Sequence, residues 1–430
     1  MNLNQSKFIR VDTASVVISI CLYLAYVILP TFSAILPQIL RYGVLALIFG
    51  FFVVGAIIFN KKSGLKTVWM LLLVTVFILL MYSGKWRNSG TDFFSYIINA
   101  YMFWLPLLYV PAVESLKNET KRKLYLFVVF LLMVTVTTTI IGSIVHADSS
   151  RIMASGVTGE SGDRVMQYSK LNIGGYGFVY GLVVFMPFLF YGARRLNHKV
   201  FYVFSIILAI LTVILTQYSI ALIAVVSLIA AVIVFTRKNT ALSVIILLAA
   251  VLIFFLMKDY IVDFLEFVMQ FFYENDFRFL SDRLGVIIEL INSSALTGHA
   301  LIRQNLYRIS FEAFLANPLS GNLFDYHSLG GHSELLDILG ATGFIGFSVF
   351  LFIIVNHIKN ICRHKGTHMF KYLVFSLLLF LYIAAFNTVL TSSPIAVSLF
   401  LIPTVLPEEG SKGLIKITFG SEKKYENSSD

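Results

Sequence analysis

The side chains able to do chemistry crowd into one polar stretch of an otherwise apolar chain, residues 258 to 332 and the first turn after it. Arg303 and Arg308 carry planar guanidinium forks, which stay charged and grip oxyanions through two parallel hydrogen bonds. His332 carries an imidazole whose ordinary pKa lies near neutrality, which suits proton abstraction. Glu334 and Asp337 follow it. Asp337 sits deep enough in an apolar run to be costly against lipid, so it is expected to face the protein interior. A metal centre is not expected: His299, His327 and His332 lack helical i, i+4 pairing, and neither Cys21 nor Cys362 falls in this stretch. The competing readings are a helix-capping or interface histidine for His332 and a headgroup-level anchor for Arg303.

The elements that must position these residues can be read in order. DYIVDFLEFVMQFFYEN and SDRLGVIIELI have apolar positions near helical spacing, so both should lie as amphipathic helices on the membrane surface, the second capped by Asp282. RQNLYRISFEAFLANPLSG reads as a further helix, with Leu306, Ile309, Ala313 and Phe314 on one face and Arg303 and Arg308 projecting from the others. Pro318 should stop it. At Gly330-Gly331-His332-Ser333 the chain turns back into an apolar run, so His332 stands before a helix N-terminus. The charges of Glu334 and Asp337 suit the positive end of that helix dipole.

The rest of the chain is scaffold in lipid. It is 58% hydrophobic and 13% charged, outside the range of soluble domains. Apolar runs at 13–36, 42–59, 67–82, 93–113, 124–146, 171–192, 200–217, 219–236, 240–257, 334–358, 370–388 and 393–406 predict an all-α polytopic membrane protein of about twelve transmembrane helices with one large extracytoplasmic loop. Asn99 and Pro106 interrupt the fourth run, and the last is short. The first follows Lys7 and Arg10 as a signal peptide would, but it is too long and lacks a small-residue cleavage site, so it reads as a retained span.

Clusters such as Lys117, Lys121, Arg122 and Lys123, or Arg194, Arg195 and Lys199, place both termini in the cytoplasm and account for the net charge of +10 without nucleic acid. The expected organisation is a nine-span region to residue 257, the loop 258–332, a three-span region 333–406 and a cytoplasmic tail 407–430. Neither an internal repeat nor a pair of inverted broken helices is visible. Cys21 and Cys362 fall too far apart in the topology for a disulfide.

Two segments carry a resemblance. Arg303, followed by Leu306, Tyr307, Phe314, Asn317, Pro318 and Gly321, resembles an arginine helix running into a Pro-Leu-x-Gly turn. His332, followed by Leu335, Leu336, Gly343 and Gly346, resembles a His-Asn-x-x-Leu motif with two glycines in the next span. Together they resemble the family of O-antigen polymerases and O-antigen ligases, over residues 172 to 350. Ser333 stands where that family commonly has Asn, and Ala341 where it often has Glu. Thr216-Gln217-Tyr218-Ser219-Ile220 looks like the family's Thr-x-Ser-Arg segment, with Ile220 replacing the arginine.

The resemblance implies a metal-independent and cofactor-free glycosyltransferase of the bacterial cytoplasmic (inner) membrane. It would join undecaprenyl-pyrophosphate-linked oligosaccharides into O-antigen, capsule or exopolysaccharide, with a chain-length regulator and a flippase as protein partners. In that reading Arg303 and Arg308 hold the pyrophosphate and His332 takes the acceptor's proton, with Asp337 or Glu334 orienting the imidazole. Arg151 and Arg164, in the other long outside segment, are further diphosphate or acceptor contacts, against the alternative of a solvated loop. Tyr168, Asn172, Tyr176 and Tyr180 would line a sugar groove or form an interfacial belt.

Two other functions stay open. One is a ligase that moves finished glycan to lipid A core. The other is a flippase or transporter, which the scarcity of ionisable residues inside the spans disfavours.

Overall fold

A computed structural model describes residues 3–58, 64–87, 91–146, 149, 152–153, 160–196, 199–235, 258–274, 281, 284–285, 288 and 298–406. All regular elements among them are helical. In chain order they are α1 (Leu3–Ile28), α2 (Pro30–Ile35), α3 (Gln38–Phe52), α4 (Gly64–Met81), α5 (Phe93–Glu114), α6 (Asn118–Val145), α7 (Glu160–Lys170), α8 (Tyr176–Arg195), α9 (Lys199–Thr216), α10 (Ser219–Phe235), α11 (Lys258–Glu274), α12 (Gly298–Ala316), α13 (Glu334–Phe386) and a last broken helix, α14 (Ser393–Val405). Turns of π-helix extend α3 over Val53–Ile58 and α4 over Tyr82–Trp86.

Eight helical stretches are long and apolar enough to cross a membrane. Shorter apolar helices at Thr13–Ile28, Ser219–Val232 and Ser393–Val405 fall on three more of the expected spans. The run 240–257 and the Asp282 cap lie outside the described residues. Pro106 and Pro111 do not break α5, which remains one helix around them.

The surface of α9 is that of a helix in lipid. Val203, Phe204, Ile207, Leu211 and Ile214 are exposed along one stripe, while the other buries Ser205, Ala209, Thr212 and Thr216 together with Tyr202, Ile206 and Val213. A soluble helix would cover that outer stripe with polar residues. With lipid outside, apolar burial gains little, and close contact with interhelical hydrogen bonds must hold the bundle. Gly181 of α8 lies so near Pro394 that a Cβ would fall 2.7 Å from its carbonyl carbon. Beside it Ser398 donates to the Gly181 carbonyl at 2.8 Å, and Ser376 donates to that of Val184 at 2.9 Å.

Helix α13 covers 53 residues but does not run straight. At a rise of about 1.5 Å per residue a straight helix of that length would far exceed a bilayer. Instead its ends touch: the Glu334 N–H donates to the Asn387 carbonyl at 3.1 Å. The helix therefore reverses between two spans, Glu334–Arg363 and Met369–Phe386.

Contacts between helix ends fall into two sets. Thr31 meets Asn172, Lys85 meets Asp337, and Tyr180 meets both Asn387 and Tyr218. At the opposite end Glu114 meets Lys121 and Asn360, and Gly192 packs on Tyr202.

Candidate functional site

Helix α12 carries the arginine motif and lies on the start of α13. Its packed face is Arg303, Leu306, Tyr307, Ser310 and Ala313, at steps of three and four residues. Ser310 is 1% and Ala313 2% exposed. Arg303 thus lies half-buried on the packed face, whereas the apolar pattern alone had it projecting away. The packed face is decided by what it meets, and the Leu306 carbonyl meets Gly330, where an added Cβ would lie 2.0 Å away.

After Ala316 the chain makes a tight turn through Pro318 and Gly321, the latter at φ 56°. This turn plugs a break in α13. Gly343 adopts φ 60°, which interrupts the helical ladder, and the amides beyond it look outside the helix for acceptors. Phe344 N–H donates to the Pro318 carbonyl at 2.9 Å and Ile345 N–H to that of Leu319 at 3.2 Å. In lipid those amides could not stay unpaired. The Pro-Leu-x-Gly turn and the first of the two span glycines are therefore halves of one joint.

In the first turn of that same helix, a buried ion cluster forms. Lys85, on the π-helical turn closing α4, places its Nζ 2.8 Å from Asp337 Oδ2 and 3.8 Å from Glu334 Oε1. The three side chains are 8%, 0% and 5% exposed. Each carboxylate also accepts uncharged donors. Asp337 Oδ1 takes the Ser310 hydroxyl at 2.6 Å and the Gly331 N–H at 3.3 Å, and Gly330 N–H donates to that same hydroxyl at 2.9 Å. Glu334 Oε2 takes the N–H groups of Val389 and Leu390 at 2.8 and 3.1 Å.

The cluster binds four pieces of chain together: the end of α4, α12, the His332 turn and the turn before α14. Replacing Asp337 with Ala should leave the Lys85 ammonium buried beside Glu334 alone and cost about 3–5 kcal/mol. The expected readout is a lower melting temperature of the detergent-purified chain; an unchanged one would show the pair to be dispensable.

Ser333 caps α13, its hydroxyl accepting the Leu336 N–H at 3.3 Å, so the position where the resembled family has Asn serves the helix start here. His332 just before it is exposed. Its pKa lies below the ordinary 6.5, because partial withdrawal from water and the Arg303 guanidinium, with a smaller push from Lys85, outweigh the pull of Asp337. The imidazole is accordingly neutral at physiological pH. The two carboxylates expected to orient it are engaged elsewhere, by Lys85 and by the donors named above.

Arg303 lies beside Tyr307, whose phenol pKa burial raises and Arg303 pulls back down. The Tyr307 hydroxyl donates to the Phe386 carbonyl at 3.4 Å. Tyr176, at the start of α8, is close enough to feel both Arg303 and Glu334. Its ring meets Tyr180 at 4.5 Å and Tyr218 at 5.9 Å between centroids. Tyr218 follows Gln217, whose φ of 60° makes the tight α9–α10 corner. The Thr216–Ile220 stretch thus joins the other two motifs at one mouth.

The remaining candidates lie apart. Arg308 is exposed on the far side of α12 and pairs with Glu312 at 3.5 Å. Arg164 is exposed on α7, which packs on α2 rather than on this mouth. Arg151 lies outside the described residues. Asn172 is buried in a hydrogen-bond net with Thr31, Thr135 and Thr138, and Tyr168 is buried against His146, so both serve packing.

Sequence reasoning missed Lys85. The signal was available: an interior carboxylate in an apolar run demands a counter-charge, and Lys85 closes an apolar run on the same expected side. Among the described residues no group of three His, Cys, Asp or Glu side chains could hold a metal ion. Arg303, His332, Tyr176 and Tyr307 together offer a fixed cation, a neutral base and aromatic faces at one end of a helical bundle. No protein-family model and no curated protein matches the chain.

Proposed function

We propose that this chain joins polyprenyl-pyrophosphate-linked oligosaccharide units into a longer glycan on the outer side of the cytoplasmic membrane. The observation that supports the reading is that Arg303 lies near enough to His332 at one mouth for its charge to act on the imidazole, with α12 and the His332 turn tied together through Ser310, Gly330, Gly331 and Asp337. In the reaction an acceptor sugar hydroxyl attacks the anomeric carbon of the donor. The bond from that carbon to the pyrophosphate oxygen breaks, and the polyprenyl pyrophosphate leaves as an anion.

His332, neutral and exposed, takes the hydroxyl proton as the new bond forms. Arg303 faces the growing charge on the leaving pyrophosphate, where a bidentate guanidinium is worth most. Tyr176 and Tyr307 offer ring faces and hydroxyls to sugar. The same groups would serve a ligase that passes finished glycan to another acceptor. A deletion strain separates the two: undecaprenyl-linked single repeats accumulate if the chain is a polymerase, long undecaprenyl-linked polymer if it is a ligase. A strain with normal glycan and neither lipid would end both readings.

Arg303→Ala is expected to slow transfer by about 10²-fold or more, the loss typical of a removed charge stabiliser, with Arg303→Lys recovering only part of it. Arg308→Ala, on the far face, should lose no more than about threefold. Initial rates with a synthetic lipid-linked donor check both. Equal losses at the two positions would remove the special role of Arg303.

A further inference from the structure

We infer that Lys85 is a positioning residue for the His332 mouth, acting through Asp337, which ties the turn carrying His332 to the helix carrying Arg303. This deepens the proposed reaction, and the test below has one readout that does not depend on it.

The geometry carries the argument. Asp337 touches the His332 turn at the Gly331 N–H and touches α12 at Ser310, whose hydroxyl returns to the turn at the Gly330 N–H. Ser310 lies seven residues, two helical turns, beyond Arg303 on the same face. A buried carboxylate can hold this bridge as an anion only beside a counter-charge, and Lys85 supplies it at 2.8 Å. Lys85 in turn has little freedom. Its ammonium lies 5.2 Å from the centroid of the Trp86 ring, and Gly84 packs so closely on Ala341 of α13 that an added Cβ would sit 2.0 Å from that carbonyl. The π-helical turn at the end of α4 thus delivers a fixed positive charge to the base of the site.

The charged groups acting on His332 are Arg303 of α12, Asp337 of α13 and Lys85 of the α4 turn. Removing Lys85 takes away a field that favours neutral imidazole and leaves Asp337, which favours the protonated form. His332 should then hold its proton to higher pH.

The full-length chain in lipid nanodiscs is treated with diethyl pyrocarbonate, which acylates neutral imidazole, and labelling of His332 is followed by peptide mass spectrometry across pH. In Lys85→Met the labelling midpoint is expected to move to higher pH and the rate at pH 6 to fall about threefold or more, with Lys85→Arg restoring both. On a synthetic undecaprenyl-pyrophosphate oligosaccharide the same variant should lose turnover with little change in KM. Should Lys85→Met not accumulate, Lys85→Gln/Asp337→Asn is compared with Asp337→Asn, and the doubly substituted chain should show the higher midpoint. An unchanged His332 midpoint in either comparison overturns the inference. A shifted midpoint in a chain that never transfers glycan keeps Lys85 and ends the proposed function instead.

Discussion

Replacing His332 with Ala should lower glycan transfer by about 10²–10⁴-fold, the range that a lost general base commands, while the amount of protein in the membrane stays as in wild type. The separation of the two effects follows from the structure. The side chain is exposed, and no described residue hydrogen bonds to it, so the fold loses little with it. The start of α13 does not need it either, because Ser333 supplies the cap.

The wild-type rate should also show an acid limb below the ordinary imidazole pKa of 6.5. The base form is active, and the lowered pKa keeps it populated as pH falls, until protonation at a more acidic pH removes it. Polymer length on gels, membrane levels of a tagged chain and a pH series of initial rates check these points. Full-length polymer from His332→Ala at normal levels would remove the base from the mechanism.

Gly343→Val should be strongly damaging, costing about 3 kcal/mol or more. Two penalties add there. A β-branched residue in the left-handed region costs about 1–2 kcal/mol, and forcing a side chain into filled space costs about 1–3 kcal/mol more. The second applies because a Cβ at 343 would stand 2.4 Å from the backbone of Leu319. Gly331 makes the comparison clean: its φ is 73°, but nothing lies within 4 Å of its added Cβ. Gly331→Ala should therefore pay only the conformational part, about 1 kcal/mol. Melting temperatures of the purified variants should rank wild type, Gly331→Ala, then Gly343→Val; equal melting of the last two would show that the joint carries no steric constraint.

Much of the frame was legible because it is local. An apolar run of bilayer length is a helix wherever it lies in lipid, and eight long helices fall on expected spans. Pro318 ends α12 through its own covalent geometry, and Asp337 is interior for the reason that made it suspect. What periodicity could not supply is which neighbour each face meets. Arg303 and Arg308 share one helix and one chemistry, yet the first is half-buried on the packed face, close enough to act electrostatically on His332, and the second faces outward, because the contact of Leu306 with Gly330 sets the rotation.

Lys85 and Asp337 stand 252 residues apart, and no spacing rule links them. Gly343 reads in sequence as an ordinary small residue of a membrane helix. Its left-handed φ becomes visible only when the Pro318 and Leu319 carbonyls are seen lying across the gap. The glycan-groove candidates divided for the same reason, Tyr176 lying within the electrostatic reach of Arg303 while Asn172 knots α6 to the start of α2.

The plugged break in α13 also orders the birth of the molecule. A ribosome delivers the Pro318 and Leu319 carbonyls before it makes the amides of Phe344 and Ile345 that use them. The acceptors are thus on hand when the broken span leaves the translocon, and its interrupted ladder need never meet hydrocarbon unpaired. A nascent chain with the 298–321 segment removed would present that span with two bare amides, at several kcal/mol each, and would insert it poorly.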